Sequence, residues 1–331
     1  MSSRYHQLHS ILQVQRLKDS LGGIVLKIFI KLNFLRNGLA AKFSPRVLES
    51  KKFSGSGTDD RLQVIENVVI DTVSGYIFDS NSFLIEESTS WEIGEASARW
   101  PLRPFFSKNV NSVDPIVFLS SEAYYHWLLE DVPAYLYAKN VLSEASTGIR
   151  QHSPRYVMDL LQLLEVSPIQ LPLFARIPKS IVVEKSRALS PNAEDIELLQ
   201  TLKEYCHNDA PVYDRIYISR KYNGRIPLNE TQVEEQFRKF GFEVLHLQNL
   251  SLRDQISIFS NCKVVAGTHG AGLSNLVWAT QAKVIEISQV NQPDCFERIA
   301  NLNGLTYFNI KSDLNPWVSD IDEIRKCLIS L

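Results

Sequence analysis

The densest run of chemistry-bearing residues is Val264-Val265-Ala266-Gly267-Thr268-His269-Gly270-Ala271-Gly272-Leu273-Ser274-Asn275. An apolar, strand-like run feeds a turn with three glycines, and a short helix follows. Small residues let main-chain N–H groups approach a ligand, and a helix N-terminus carries partial positive charge, so the turn is a seat for phosphate. His269 at its mouth could donate to an anion. Glu286, at the end of the next apolar run, could accept from ribose hydroxyls. Tight strand-to-helix turns need glycine in any case, so the turn alone leaves a purely structural role open.

Ser219-Arg220-Lys221 follows a second strand-like run, Tyr217-Ile218. Arg offers a planar fork to phosphate oxygens and Lys a point charge. A solvated basic loop, with Arg225 nearby, is the alternative. The third group is Tyr124-Tyr125-His126-Trp127-Leu128-Leu129-Glu130-Asp131-Val132-Pro133. On a helix His126 and Glu130 face the same way. A carboxylate there fixes the imidazole tautomer, as a general base requires; a surface ion pair beside aromatic core is the other reading.

Asp320, Asp322 and the Asp59-Asp60 pair are poor metal ligands by context, and no G-x-S-x-G, Walker or H-E-x-x-H pattern occurs. Cys206, Cys262, Cys295 and Cys327 have no zinc spacing and read as reduced thiols of a cytosolic protein. The 331 residues, 44% apolar and 22% charged, fit a globular chain with room for two cores. A net charge of -2 argues against a nucleic-acid coat, and no solenoid or propeller period is found.

Three regions must position these groups. Residues 1–52 hold ten Lys or Arg against Asp19 and Glu49. Within them IVLKIFIKLNFL, residues 24–35, is amphipathic, too short and charged to span a bilayer, and lacks an A-x-A cleavage site. It suits an anionic membrane surface or a partner subunit. Residues 53–208 mix strands (63–70, 76–78, 82–85, 115–119, 180–183) with helices at about 122–138, 155–164 and 192–206. Residues 91–115 read as irregular. A linker at Asp209-Ala210-Pro211 opens the third region, 209–331. Here strands at 215–219, 242–247, 263–267, 283–287 and 305–310 alternate with helices at 230–240, 252–261, 271–279 and 319–330. Asn229 to Gln232 reads as a capping box. The closing helix is assigned to this region, with packing back on the second as its alternative. The alternation implies α/β architecture with a parallel, doubly wound sheet.

Together these motifs resemble glycosyltransferase family 61, from HWLLEDVP through RIYISRK to VVAGTHGAGLSN and VIEIS, over roughly 115–310. The resemblance implies a GT-B fold: two Rossmann-like domains facing across a cleft, acceptor in the first and donor nucleotide in the second. It implies an inverting, metal-independent transfer with no cofactor beyond a nucleotide-sugar donor, taken as UDP-linked. Either His126 or Glu130 is then the catalytic base and the other orients it, with Asp131 a further acid that keeps the choice open. Ser219, Arg220 and Lys221 face the leaving diphosphate. Gly267, Thr268, His269, Gly270, Ala271, Gly272, Leu273 and Asn275 match the glycine-rich turn, and Glu286 the acid after it. The chain is more like compact bacterial members, which implies a cytoplasmic protein peripheral on the inner membrane face, with glycan or lipid-linked acceptors of surface polysaccharide synthesis as partners and no nucleic acid.

Two other classes compete. Gly267-x-x-Gly270-x-Gly272 with Glu286 loosely copies a dinucleotide fingerprint, but the glycine spacing differs and the motif falls late in its domain. A non-catalytic sugar-nucleotide or glycan binder would retain the seat without turnover. Sugar and acceptor choice is assigned to loops around 88–115 and 288–300.

Overall fold

The computed structural model describes residues 61–80, 84–85, 107–120, 123–186, 189–206, 211–221, 226–312 and 317–330. The basic arm 1–52, the Gly/Ser break after it and all of 86–106 lie outside them, as do 82–83 of the strand read at 82–85. Among the described residues no helix is long and apolar enough to cross a membrane.

The first sheet has the order β2-β1-β7-β4-β5-β6, with β3 also pairing β7. Its strands are β1 (Leu62–Asp71), β2 (Tyr76–Phe78), β3 (Ser107–Asn109), β4 (Ile116–Phe118), β5 (Ser146–Arg150), β6 (Ile169–Leu171) and β7 (Phe174–Val183). The core strands β7, β4, β5 and β6 run parallel, whereas β1 joins β2 and β7 antiparallel. This half is therefore a mixed sheet. Three of its strands escape the sequence reading. β3 lies inside the segment read as irregular, and Thr147-Gly148 and Gln170 interrupt the apolar runs of β5 and β6.

The second sheet, order β12-β11-β10-β8-β9, is wholly parallel. Its strands are β8 (Arg215–Ile218), β9 (Glu243–Leu245), β10 (Val264–Thr268), β11 (Lys283–Gln289) and β12 (Thr306–Ser312). β10 is buried along its whole length, as a central parallel strand covered on both faces must be.

Helix α1 joins three stretches, Tyr124–His126, Trp127–Asp131 and Val132–Val141, the middle one being a π-helical turn. Pro133 has no N–H for the carbonyl of Leu129, which releases the regular ladder just there. Helices α2 (Arg155–Leu163) and α3 (Ala193–Gln200) complete the first half. Asn192 caps α3, its side chain accepting from the N–H of Asp195. α4 (Glu230–Lys239), α5 (Leu252–Asn261), α6 (Cys295–Leu302) and α7 (Ile321–Ile329) belong to the second. The closing helix α7 sits in the apolar cluster of its own sheet, where Ile324 and Leu328 join Tyr217, Val233 and Phe237. Two further corrections concern local structure. Asn229 makes no cap bond; its side chain instead holds both main-chain groups of Ser319, at 2.8 and 2.9 Å. The stretch read as a 288–300 loop contains the start of α6.

One apolar cluster runs through both sheets, from Val117 and Leu128 to Leu276 and Trp278. Hydrogen bonds cross it. Tyr124 donates to Asn275 Oδ1 at 2.7 Å, and the N–H of Leu252 to Asp159 at 3.0 Å.

Candidate active site

Each sheet reverses its winding once. In the second, the chain moves from β8 out to β9, then returns to β10 on the other side of β8 and continues to β11 and β12. In the first, it moves from β4 to β5 and β6, then places β7 on the other side of β4. Crevices beyond the carboxyl ends of such strand pairs bind ligands. All three motifs lie there: Arg220 after β8, the glycine turn after β10, and His126 on the helix after β4.

Gly270 joins the Arg220 loop to the glycine turn. A Cβ at this position would fall on the Arg220 guanidinium, whose Nη1 donates to the carbonyl of His269. Gly272 is equally constrained, since a Cβ would come within 2.9 Å of Ile218. The segment after the turn, Ala271–Trp278, is a 3-10 helix, tighter than an α-helix. Asn275 is fully buried and spends its amide on the Gln255 side chain and the Gly272 carbonyl, at 3.1 and 3.0 Å. With Tyr124 on its oxygen, it is a link between the two halves and has no group left for a nucleotide.

Beneath Arg220 lies a polar cluster that sequence reasoning missed. Glu230 Oε1 accepts from the Arg220 N–H and the Tyr217 hydroxyl, both at 3.0 Å. Thr268 bonds Tyr217 at 3.1 Å, and Ser219 donates to Glu234 at 2.7 Å. Ser219 and Thr268 thus brace the two loops from below. Burial pushes the Glu230 carboxyl above its ordinary value, opposed by the Arg220 N–H and the Tyr217 hydroxyl. The signal was available: Glu230 and Glu234 share the helix face of Val233 and Phe237, where acids need a reason to be. Lys221 is exposed at the rim.

In the first half, His126 Nδ1 lies 3.2 Å from Glu130 Oε1, with the carboxylate buried. The neighbouring Asp131 is a different kind of group. It accepts from the Ser120 N–H at 2.9 Å, the Ser120 hydroxyl at 3.0 Å and Lys185 Nζ at 2.7 Å. These donors hold the strand ends of β4 and β7 together. Asp131 is an anchor.

Glu286 departs from its expected role. It is buried inside β11, with one oxygen on His269 Nδ1 and the other on the Tyr307 hydroxyl. Neither oxygen is left for a ribose. The two histidines are connected by aromatic contacts: Tyr125 meets the His126 ring at 5.3 Å and Phe296 at 5.7 Å, and Phe296 meets His269 at 4.9 Å. Cys295 is hydrogen-bonded to Tyr125, and burial raises its thiol. Tyr125, Cys295, Phe296 and Tyr307 carry no spacing signal, because strand register and the placement of α6 bring them in. Among the described residues no three His, Cys, Asp or Glu side chains converge as a metal site.

The family model described as Glycosyltransferase 61 matches residues 124–285, from the start of α1 to the middle of β11. This segment belongs to glycosyltransferase family 61. The chain is 30% identical over 95 residues to an EGF domain-specific O-linked N-acetylglucosamine transferase of Drosophila melanogaster, covering 28% of this chain and 18% of that protein. It is 26% identical over 151 residues to a Beta-1,2-xylosyltransferase of Arabidopsis thaliana, covering 37% of this chain and 28% of that one. The matched stretches thus span under a third of either relative. The family 61 segment contains His126, Glu130, Arg220 and the whole glycine turn, while Glu286 and Tyr307 lie just beyond it.

Proposed function

We propose that this chain transfers a sugar from a nucleotide-sugar donor to a hydroxyl of a glycan or lipid-linked acceptor, with inversion and without a metal. The observation that carries the reading is the meeting of Arg220 and the glycine turn at the winding reversal of the second sheet, connected through Phe296 and Tyr125 to the His126–Glu130 pair. The two sheets then act as the donor and acceptor halves of a GT-B enzyme.

The geometry divides the chemistry. Glu130 lies against Nδ1 of His126, and the imidazole takes the acceptor proton. The acceptor oxygen forms its bond to the anomeric carbon as the bond to the diphosphate oxygen breaks, and the nucleoside diphosphate leaves with that electron pair. Arg220, Lys221 and the main-chain N–H groups of the turn stabilise its charge. A UDP-linked donor is proposed. The relatives' names make UDP-N-acetylglucosamine and UDP-xylose the first to try. Action at the inner face of the cell membrane, through the basic arm and in surface polysaccharide synthesis, completes the proposal.

A thermal-shift screen of UDP-, GDP- and CMP-linked sugars and of NAD, in EDTA and then in Mg²⁺, tests it. A donor at 100 times its dissociation constant adds about 2.7 kcal/mol of stability. Stabilisation by one class in EDTA, with release of its nucleotide on adding acceptor, is expected. Stabilisation by NAD alone would restore the oxidoreductase reading, and binding without turnover of any donor would leave a sugar-nucleotide binder.

A further inference from the structure

We propose that Glu286 and Tyr307 are positioning residues that hold His269 as a cationic hydrogen-bond donor to the departing diphosphate; this deepens, and rests on, the glycosyl-transfer reading. Tyr307 belongs to none of the sequence motifs. Register brings it in, because β12 pairs with β11 so that Tyr307 lies opposite Val284, two residue pairs from Glu286 and Asn309 and therefore on the same face of the sheet. The chain of contacts then runs from Ser288 to Asn309 at 2.8 Å, from Asn309 to Tyr307 at 3.3 Å, and through Tyr307 and Glu286 to His269.

A buried carboxylate persists only when its oxygens are satisfied. Here one oxygen fixes Nδ1 as the protonated nitrogen and the other accepts a hydrogen bond from the Tyr307 hydroxyl. Such a carboxylate orients an imidazole and stabilises the imidazolium. Nε2 is then the nitrogen available beside the anion seat. The imidazole meets Glu286 from β11 and the Phe296 ring from α6; Arg220, from the loop after β8, donates to the His269 carbonyl, and the charges of Glu286, Glu297 and Cys295 act on Tyr307 of β12. Burial and the charge of Glu286 push the Tyr307 phenol upward, so it stays a donor. As the anomeric C–O bond breaks, the phosphate oxygen keeps the electron pair and accepts a hydrogen bond from Nε2–H. The proton remains on the ring.

Calorimetric binding of UDP and of inorganic pyrophosphate, from about pH 5 to about pH 8, tests this in wild type, His269→Gln, Glu286→Gln and Tyr307→Phe. Wild-type affinity for both probes should exceed that of His269→Gln by about tenfold at the acid end, with the gap closing as pH rises. Tyr307→Phe should close it at lower pH than wild type. Equal pH profiles in wild type and His269→Gln, or an unshifted profile in Tyr307→Phe, would overturn the proposal while leaving the donor site standing. Wild type that binds neither probe would overturn both readings. If Glu286→Gln does not fold, nitrogen NMR of the wild-type imidazole decides: a ring protonated on both nitrogens at the acid end supports the relay, and a ring that stays neutral across the pH range refutes it.

Discussion

Arg220 lies against Gly270 and donates to the carbonyl of His269, so the basic loop after β8 and the glycine turn after β10 form one surface. A Cβ at Gly270 would meet the guanidinium, the mobile end of a long side chain. Gly270→Ala is therefore expected to change stability by less than about 1 kcal/mol. Donor affinity should fall by about tenfold, the cost of misplacing one charge-assisted hydrogen bond. Chemical denaturation beside donor titration separates the two effects.

The adjacent acids on α1 should separate by phenotype. His126→Ala is expected to lower kcat by about 10²- to 10⁴-fold, the range for a lost general base, with the melting temperature kept. Glu130→Gln should lower kcat less, because the base survives but loses its orienting group. Asp131→Ala leaves Lys185 uncompensated between β4 and β7 and should cost about 3–5 kcal/mol of stability, read from urea midpoints.

Glu230 gives a pH signature. Burial raises its carboxyl in the folded state, so the native chain keeps this proton where the unfolded chain has released it. The sign follows from linkage: the stability is fully present below the ordinary carboxylate value and is lost as pH rises through the raised one. Urea midpoints measured across that interval should decline in wild type. Glu230→Gln cannot titrate, and its profile should be flatter there.

Tyr124 tests the joint between the halves. Its hydroxyl donates to the buried Asn275, and Tyr124→Phe leaves that oxygen unsatisfied. The expected loss is about 1–3 kcal/mol of stability, read by thermal or urea denaturation, without a change in nucleotide affinity.

The parallel sheet was readable because β8, β10 and β11 are apolar runs bounded by turn residues, and the capping box at Ser251 has both its bonds, with Asp254 as partner. The site motifs were readable because each follows such a run. What lay outside the sequence is relational. The roles of Glu286 and Asp131 depend on Tyr307, Ser120 and Lys185, which only register and topology bring near. The Asn229 capping reading failed because a tertiary partner, Ser319, took the side chain. β5 and β6 were missed because Thr147-Gly148 and Gln170 break short strands, and the π turn of α1 arises from a carbonyl that Pro133 leaves without a partner.

The most direct test of the donor site is calorimetric binding of UDP, in EDTA, to wild type and Arg220→Ala. The account predicts saturable binding to wild type and a loss of at least about tenfold in the variant, equivalent to one charge-assisted hydrogen bond. Equal affinity in the two proteins, or binding to wild type only when metal is restored, would contradict it.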